Sequence, residues 1–142
     1  MRILRIDHVA VCAPSIGEAS LLWRTLLPLS LGPTESVDNQ KTDVGFLLTE
    51  AEADACIELI APQPGNVGLA KFLERNRGKA GLHHIAFLVD DIAAALDELA
   101  ARSTKLIDRH ARPGARGHLV AFLHPDAGGG VLIELVQAAP SH

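Results

Sequence analysis

Apolar positions along this chain follow two alternating patterns. Residues 4–12 and 82–90 are rich in Val, Ile, Leu and Ala, which predicts strands. A helix-start signal follows each run. Ser15-Ile16-Gly17-Glu18 has the spacing in which a Ser hydroxyl and a Glu carboxylate satisfy the exposed N–H groups of a first turn, and Asp91 is the equivalent cap later on. Behind the caps the apolar spacing changes to three and four residues: Ile16, Ala19, Trp23 and Leu26, then Ile92, Ala95, Leu96 and Leu99. Three more strands are expected after each helix, at about 34–39, 43–49 and 55–61, then 105–108, 118–124 and 131–137. Between the halves, Asn66 caps a short helix, with Leu69, Phe72 and Leu73 on its apolar side, that ends near Gly78.

The two halves are copies of one pattern. A shift of 76 residues lays Ile6-Asp7-His8-Val9-Ala10-Val11 on Leu82-His83-His84-Ile85-Ala86-Phe87, and Val44-Gly45-Phe46-Leu47 on Val120-Ala121-Phe122-Leu123. The same shift lays Ile57-Glu58-Leu59-Ile60 on Ile133-Glu134-Leu135-Val136. The expected fold class is therefore α+β, two tandem βαβββ modules with eight strands in all. They span about residues 1–62 and 80–138 of a single domain, 1–142, with the short helix as linker. Neither half could bury a core alone.

Within those apolar runs the duplication retains polar residues. His8 matches His84 and Glu58 matches Glu134, so each half places a Glu fifty residues after a His. Alternation along a strand puts His8 with Ala10 and Cys12, and leaves Glu58 and Glu134 in the middle of apolar runs. An ionised carboxylate there costs several kcal/mol unless a cation or hydrogen bonds compensate it. One divalent ion per chain bound by His8, Glu58, His84 and Glu134 would satisfy all four groups. That N₂O₂ set suits Co²⁺, Mn²⁺, Ni²⁺ or Zn²⁺. His83 faces opposite to His84 by parity, and His124 and His142 read as structural or solvated.

Composition narrows the partners. Thirteen Lys and Arg against 17 Asp and Glu leave a net charge of −4, without the basic footprint of a nucleic-acid binder. Four Phe, one Trp and no Tyr offer few stacking platforms and no tyrosine acid. No apolar stretch approaches the ~20 residues of a membrane span, and Asp7 and His8 interrupt any leader-like apolar run behind Arg2 and Arg5. The expected compartment is the cytoplasm, with a homodimer as the expected assembly. Cys12 and Cys56 read as small buried hydrophobes. Arg109, Arg112 and Arg116, like Arg75, Arg77 and Lys79, read as solvated surface charge in preference to phosphate contacts.

The strings Ile6-Asp7-His8-Val9-Ala10, Gly81-Leu82-His83-His84-Ile85-Ala86-Phe87, Phe122-Leu123-His124-Pro125 and Gly130-Val131-Leu132-Ile133-Glu134-Leu135-Val136-Gln137 strongly resemble the methylmalonyl-CoA epimerase family. That family belongs to the vicinal-oxygen-chelate, glyoxalase-like superfamily. The likeness extends to the linker helix Ala70-Lys71-Phe72-Leu73 and the loop Pro113-Gly114-Ala115-Arg116-Gly117. It implies a cup-shaped mixed sheet around one metal held by His8, Glu58, His84 and Glu134. It also implies an acyl-CoA substrate, whose (R) and (S) methylmalonyl forms interconvert by 1,1-proton transfer with Glu134 as one acid/base. Some family members carry a second catalytic Glu on the middle strand of the first half, a position that the resemblance assigns to Gly45. Asp43, on the face of Gly45, is the weak substitute. The rival activities are a lactoylglutathione lyase and a non-catalytic drug-binding resistance protein of the same fold. The second would need aromatic walls that this chain lacks.

Overall fold

The computed structural model describes residues 1–51 and 55–140; His142 lies outside them. The chain divides into two compact units, Val9–His83 and Met1–His8 with His84–His142.

The unit Val9–His83 takes in the second half of β1 (Ile3–Cys12), then α1 (Ile16–Leu26), β2 (Ser30–Leu31), β3 (Glu35–Val37), β4 (Thr42–Leu48), β5 (Cys56–Pro62) and α2 (Val67–Arg75). Its strands run in the order β2-β4-β5-β1, and β3 also pairs with β4. Both helices start where the capping residues predict. The Ser15 hydroxyl accepts from the Glu18 N–H at 3.3 Å, and the Asn66 side chain accepts from the Leu69 N–H at 3.0 Å. From α1, Ile16, Ala19 and Trp23 cover Val11, Leu47 and Leu59. Leu26 departs from the expected stripe and is 73% exposed. The helix stops there, and Leu29 and Leu31 on the returning chain fill its place. β3 is shorter than expected because Asp38–Gln40 coil into a 3₁₀ turn closed by Lys41 in the left-handed region.

Register assigns the faces of β4. Phe46 pairs with Glu58 and Gly45 with Leu59, so the partners in each pair point the same way. Thr42, Val44, Phe46 and Leu48 therefore share the face of Glu58. Asp43, Gly45 and Leu47 share the face that α1 covers. A β-carbon added at Gly45 would come within 2.8 Å of Ile16 Cγ2 and 3.3 Å of Thr34 Cγ2.

The other unit holds the first half of β1 with β6 (Gly81–Val89), α3 (Ile92–Ala101), β7 (Arg112–Pro113), β8 (Leu119–Phe122) and β9 (Ile133–Gln137), in the order β1-β6-β9-β8-β7. β6 and β9 are parallel; β9, β8 and β7 are antiparallel neighbours. Asp91 caps α3 by accepting from the Ala94 N–H at 3.0 Å. The expected stripe of α3 holds: Ile92, Ala95, Leu96 and Leu99 lie against Val89, Ala121, Leu123 and Leu135. The strand expected at 105–108 reduces to one bridge, Leu106 with Leu123. The Asp108 carboxylate takes the Phe122 N–H at 2.8 Å, while the N–H groups of Ile107 and Asp108 both go to the Phe122 carbonyl. A side chain thus occupies the ladder. β9 begins two residues later than expected, at Ile133, behind a turn in which Gly129 and Gly130 stand at φ 67° and 105°.

A methyl group has no room at Gly45. We expect Gly45→Ala to destabilise the protein by about 1–3 kcal/mol through forced displacement of Ile16, read as a lowered midpoint in thermal and urea unfolding. Unchanged midpoints would contradict the register of β4 on β5.

Candidate active site

In the unit built from Met1–His8 and His84–His142, the face of β6, β9 and β8 away from α3 carries the polar residues. Phe122 pairs with Glu134 across β8 and β9, and Ala86 pairs with Glu134 across β6 and β9. His84, two residues before Ala86, shares that face. β1 brings in His8. His8, His84 and Glu134 are 2%, 5% and 5% exposed.

Their reactive atoms converge. His8 Nε2 lies 3.3 Å from His84 Nε2 and 3.1 Å from Glu134 Oε1, and His84 Nε2 is 3.7 Å from the same oxygen. On the far side of the ring, His8 Nδ1 is 2.7 Å from Asp7 Oδ2. A carboxylate only accepts, so Nδ1 carries a hydrogen; a neutral His8 then turns its Nε2 lone pair to the cluster, whereas a protonated His8 donates from Nε2 to Glu134. His8 Nε2, His84 Nε2 and the Glu134 carboxylate thus converge out of water, an arrangement that a cation or a shared proton between them would satisfy. Donors held around one ion at about 2.0–2.2 Å stand roughly 3–3.5 Å apart, close to the separations found. The donor set fits a divalent metal. Phe122 meets the His84 ring edge-on at 5.1 Å and walls the cluster from one side.

Charge is tuned here. Burial opposes ionisation of Glu134, but hydrogen bonds and charge from His8 and His84 outweigh it and hold the carboxyl well below the usual carboxylate range. Burial likewise opposes ionisation of Asp7, and His8, Arg116 and Arg5 together hold its pKa below the ordinary value. Arg116 donates to Asp7 Oδ2 at 3.0 Å, and Arg5 lies 3.3 Å from Oδ1.

Glu58 sits in the other unit, 7% exposed, on the same β5 face as Ile60 and opposite Phe46. The register corrects what the sequence suggested for its neighbours. Gly45 and Asp43 lie on the α1-covered face, so a β4 carboxylate sharing the face of Glu58 would have to stand at Thr42, Val44, Phe46 or Leu48. Asp43 Oδ1 instead accepts from the Ser36 hydroxyl at 2.9 Å and from Gln63 Nε2 at 3.1 Å. His83 meets the Phe72 ring edge-on at 5.1 Å, and His124 caps a 3₁₀ turn by accepting from the Asp126 N–H. Cys12 is buried, which pushes its thiol up to about 11 and makes it inert.

A sequence profile of the Glyoxalase/Bleomycin resistance protein/Dioxygenase superfamily matches residues 7–122. An ethylmalonyl-CoA/methylmalonyl-CoA epimerase of Cereibacter sphaeroides is 34% identical over 135 residues, covering 94% of this chain and 97% of that protein. The mitochondrial methylmalonyl-CoA epimerase of Bos taurus is 32% identical, covering 94% and 74%. The crystal structure of methylmalonyl-CoA epimerase from Mycobacterium tuberculosis superposes with a TM-score of 0.89 at 31% identity, covering 97% of this chain and 90% of that one. This chain belongs to the methylmalonyl-CoA epimerase family. Its fold is accordingly glyoxalase-like.

Three residues at or near the His8–His84–Glu134 cluster were not singled out by the sequence pattern: Asp7, Phe122 and His118. The signal for Asp7 was its place beside His8; for Phe122 and His118 it was alternation with Val120. His118 Nδ1 accepts from the Ala139 N–H at 2.8 Å, which leaves the hydrogen on Nε2. Burial, then the charge of Arg116, lower its pKa from 6.5, so the ring stays neutral at pH 7. Its folded pKa lies below the unfolded value, so the unfolded chain takes the proton first. Stability should fall as pH drops through about 6.5 and level off once the folded pKa is passed. His118→Gln should remove that part of the slope, seen as a smaller difference in urea midpoints between pH 7.5 and 5.5. An NMR titration placing His118 at or above 6.5 would contradict the assignment.

Proposed function

We propose that this chain is a metal-dependent epimerase that interconverts (R)- and (S)-methylmalonyl-CoA. Its site holds one divalent ion through His8, His84, Glu134 and Glu58, with Co²⁺, Mn²⁺, Ni²⁺ or Zn²⁺ as the ion. The buried His8–His84–Glu134 cluster carries this reading. Glu58 joins it as the duplicate of Glu134, a second buried carboxylate in an apolar strand. The relatives named above supply the substrate class.

When bound, the ion supplies Lewis-acid polarisation of the thioester, which acidifies the methine between thioester and carboxylate. The remaining work falls to side chains. His8, oriented by its bond to Asp7, presents Nε2 as a ligand. Glu134 removes or returns the proton at the substrate α-carbon through a carboxylate oxygen, and Phe122 and the buried strands exclude water around it. Inversion needs a second acid on the opposite face of that carbon. The register takes Asp43 out of that role, because its carboxylate lies on the α1-covered face. A homodimer in the cytoplasm completes the proposal; no described helix is long and apolar enough to cross a membrane.

Metal analysis of the purified protein should find about one divalent ion per chain. His8→Ala or His84→Ala should lower that occupancy sharply and abolish turnover. Full activity after exhaustive chelation would sink the metal reading. In D₂O the enzyme should place deuterium at C2 of methylmalonyl-CoA as it racemises. Glu134→Gln, which removes the basic carboxylate, should lose about 10²-fold or more in turnover, well beyond its loss of metal, while Asp43→Asn should stay close to wild type. Metal-loaded wild-type protein that neither exchanges nor racemises the substrate, yet turns over the glutathione hemithioacetal, would reassign it as a lyase.

A further inference from the structure

Arg116 is built into the protein in a way that surface charge does not explain. It sits in the loop between β7 and β8, where the Gly114 N–H bonds to the His118 carbonyl at 2.9 Å and the His118 N–H to the Ala115 carbonyl at 3.1 Å. Both residues inside that turn are left-handed, Arg116 at φ 60°, ψ 20° and Gly117 at φ 70°. Gly, Asn and Asp are favoured at such positions; a long branched cation is not. The loop also lies tight on the sheet: a β-carbon at Gly114 would come within 2.8 Å of Val120 Cγ1, so the backbone is fixed in depth as well as direction.

That placement sends the guanidinium inward. Arg116 Nη2 reaches Asp7 Oδ2 at 3.0 Å, and the same oxygen receives His8 Nδ1 at 2.7 Å. The Asp7 side chain is 2% exposed. A buried carboxylate beside a metal-ligating histidine orients the ring and strengthens its other nitrogen as a donor. We infer that Arg116 is a positioning residue for the reaction: it holds the Asp7 side chain in place, and through Asp7 it fixes the His8 ring with Nε2 turned to His84 and Glu134. The inference rests on the epimerase reading of the preceding section.

The test is the affinity of the purified full-length chain for Co²⁺, measured by competition with a chromophoric chelator, alongside the d–d spectrum and steady-state kinetics. Asp7→Asn should weaken Co²⁺ binding by about 10–100-fold, the usual effect of removing a ligand's hydrogen-bond partner. Arg116→Ala should weaken it in the same direction and shift the d–d bands, and Arg116→Lys should recover part of the loss. Because Arg116 acts through Asp7, the double variant should bind no more weakly than Asp7→Asn alone. Additive losses would overturn the inference. So would an Arg116→Ala protein with wild-type Co²⁺ affinity and a raised KM, which would place the arginine on the coenzyme phosphates. Near-UV circular dichroism separates a misfolded Asp7→Asn from a correctly folded weak binder, and the Arg116→Lys comparison stands without it. Wild-type protein that binds no Co²⁺ is a different failure: it removes the metal centre, and the positioning role with it.

Discussion

A carboxylate held out of water in the middle of a strand is the constraint around which this site is built. Glu134 lies between Ile133 and Leu135, 5% exposed, and stays ionised because two imidazoles face it. Burial alone would push its pKa up; His8 and His84 reverse that. Removing either partner would leave an uncompensated buried charge, which is far costlier than losing one ordinary hydrogen bond. The requirement ties β9 to β6 and β1 more strictly than packing alone would.

The same logic extends one step outward. His8 can serve the cluster only if its other nitrogen is satisfied, and Asp7 satisfies it at 2.7 Å. Asp7 is itself a buried charge, and Arg116 and Arg5 answer it. Each polar group brings in the next until the series ends on two arginines that reach solvent. Such a series is stable when every member is paired, and it determines which way the imidazole points.

Within each unit the sheet separates two tasks by its faces. Leu47 and Leu59 lie under α1, while Val89, Ala121 and Leu135 lie under α3; those faces are apolar and close-packed. The opposite faces hold Glu58 in one unit and His84, Glu134 and Phe122 in the other. Strand pleating makes this possible, because neighbouring residues can serve the core and the chemistry in turn. It also limits the site. A one-residue difference in position, such as Val44 against Gly45, decides whether a side chain meets the helix or shares a face with Glu58.

Much of this was already fixed by the sequence. Capping by Ser15, Asn66 and Asp91 and the stripe of α3 are local or periodic signals, and the structure returns them at the same residues. Tertiary structure decided the rest. Periodicity could not show that Asp108 would occupy the ladder in place of a strand, because that depends on where the Phe122 N–H lies. Nor could it show that α1 would leave Leu26 exposed, since the returning chain supplies Leu29. Alternation placed Asp43 and Gly45 on a common face, but only the pairing of Phe46 with Glu58 revealed that this face belongs to the helix. Arg116 is the clearest case. As a string of letters it is one cation in a basic loop. Its partner is 109 residues away, and only the folded chain brings the two within 3.0 Å.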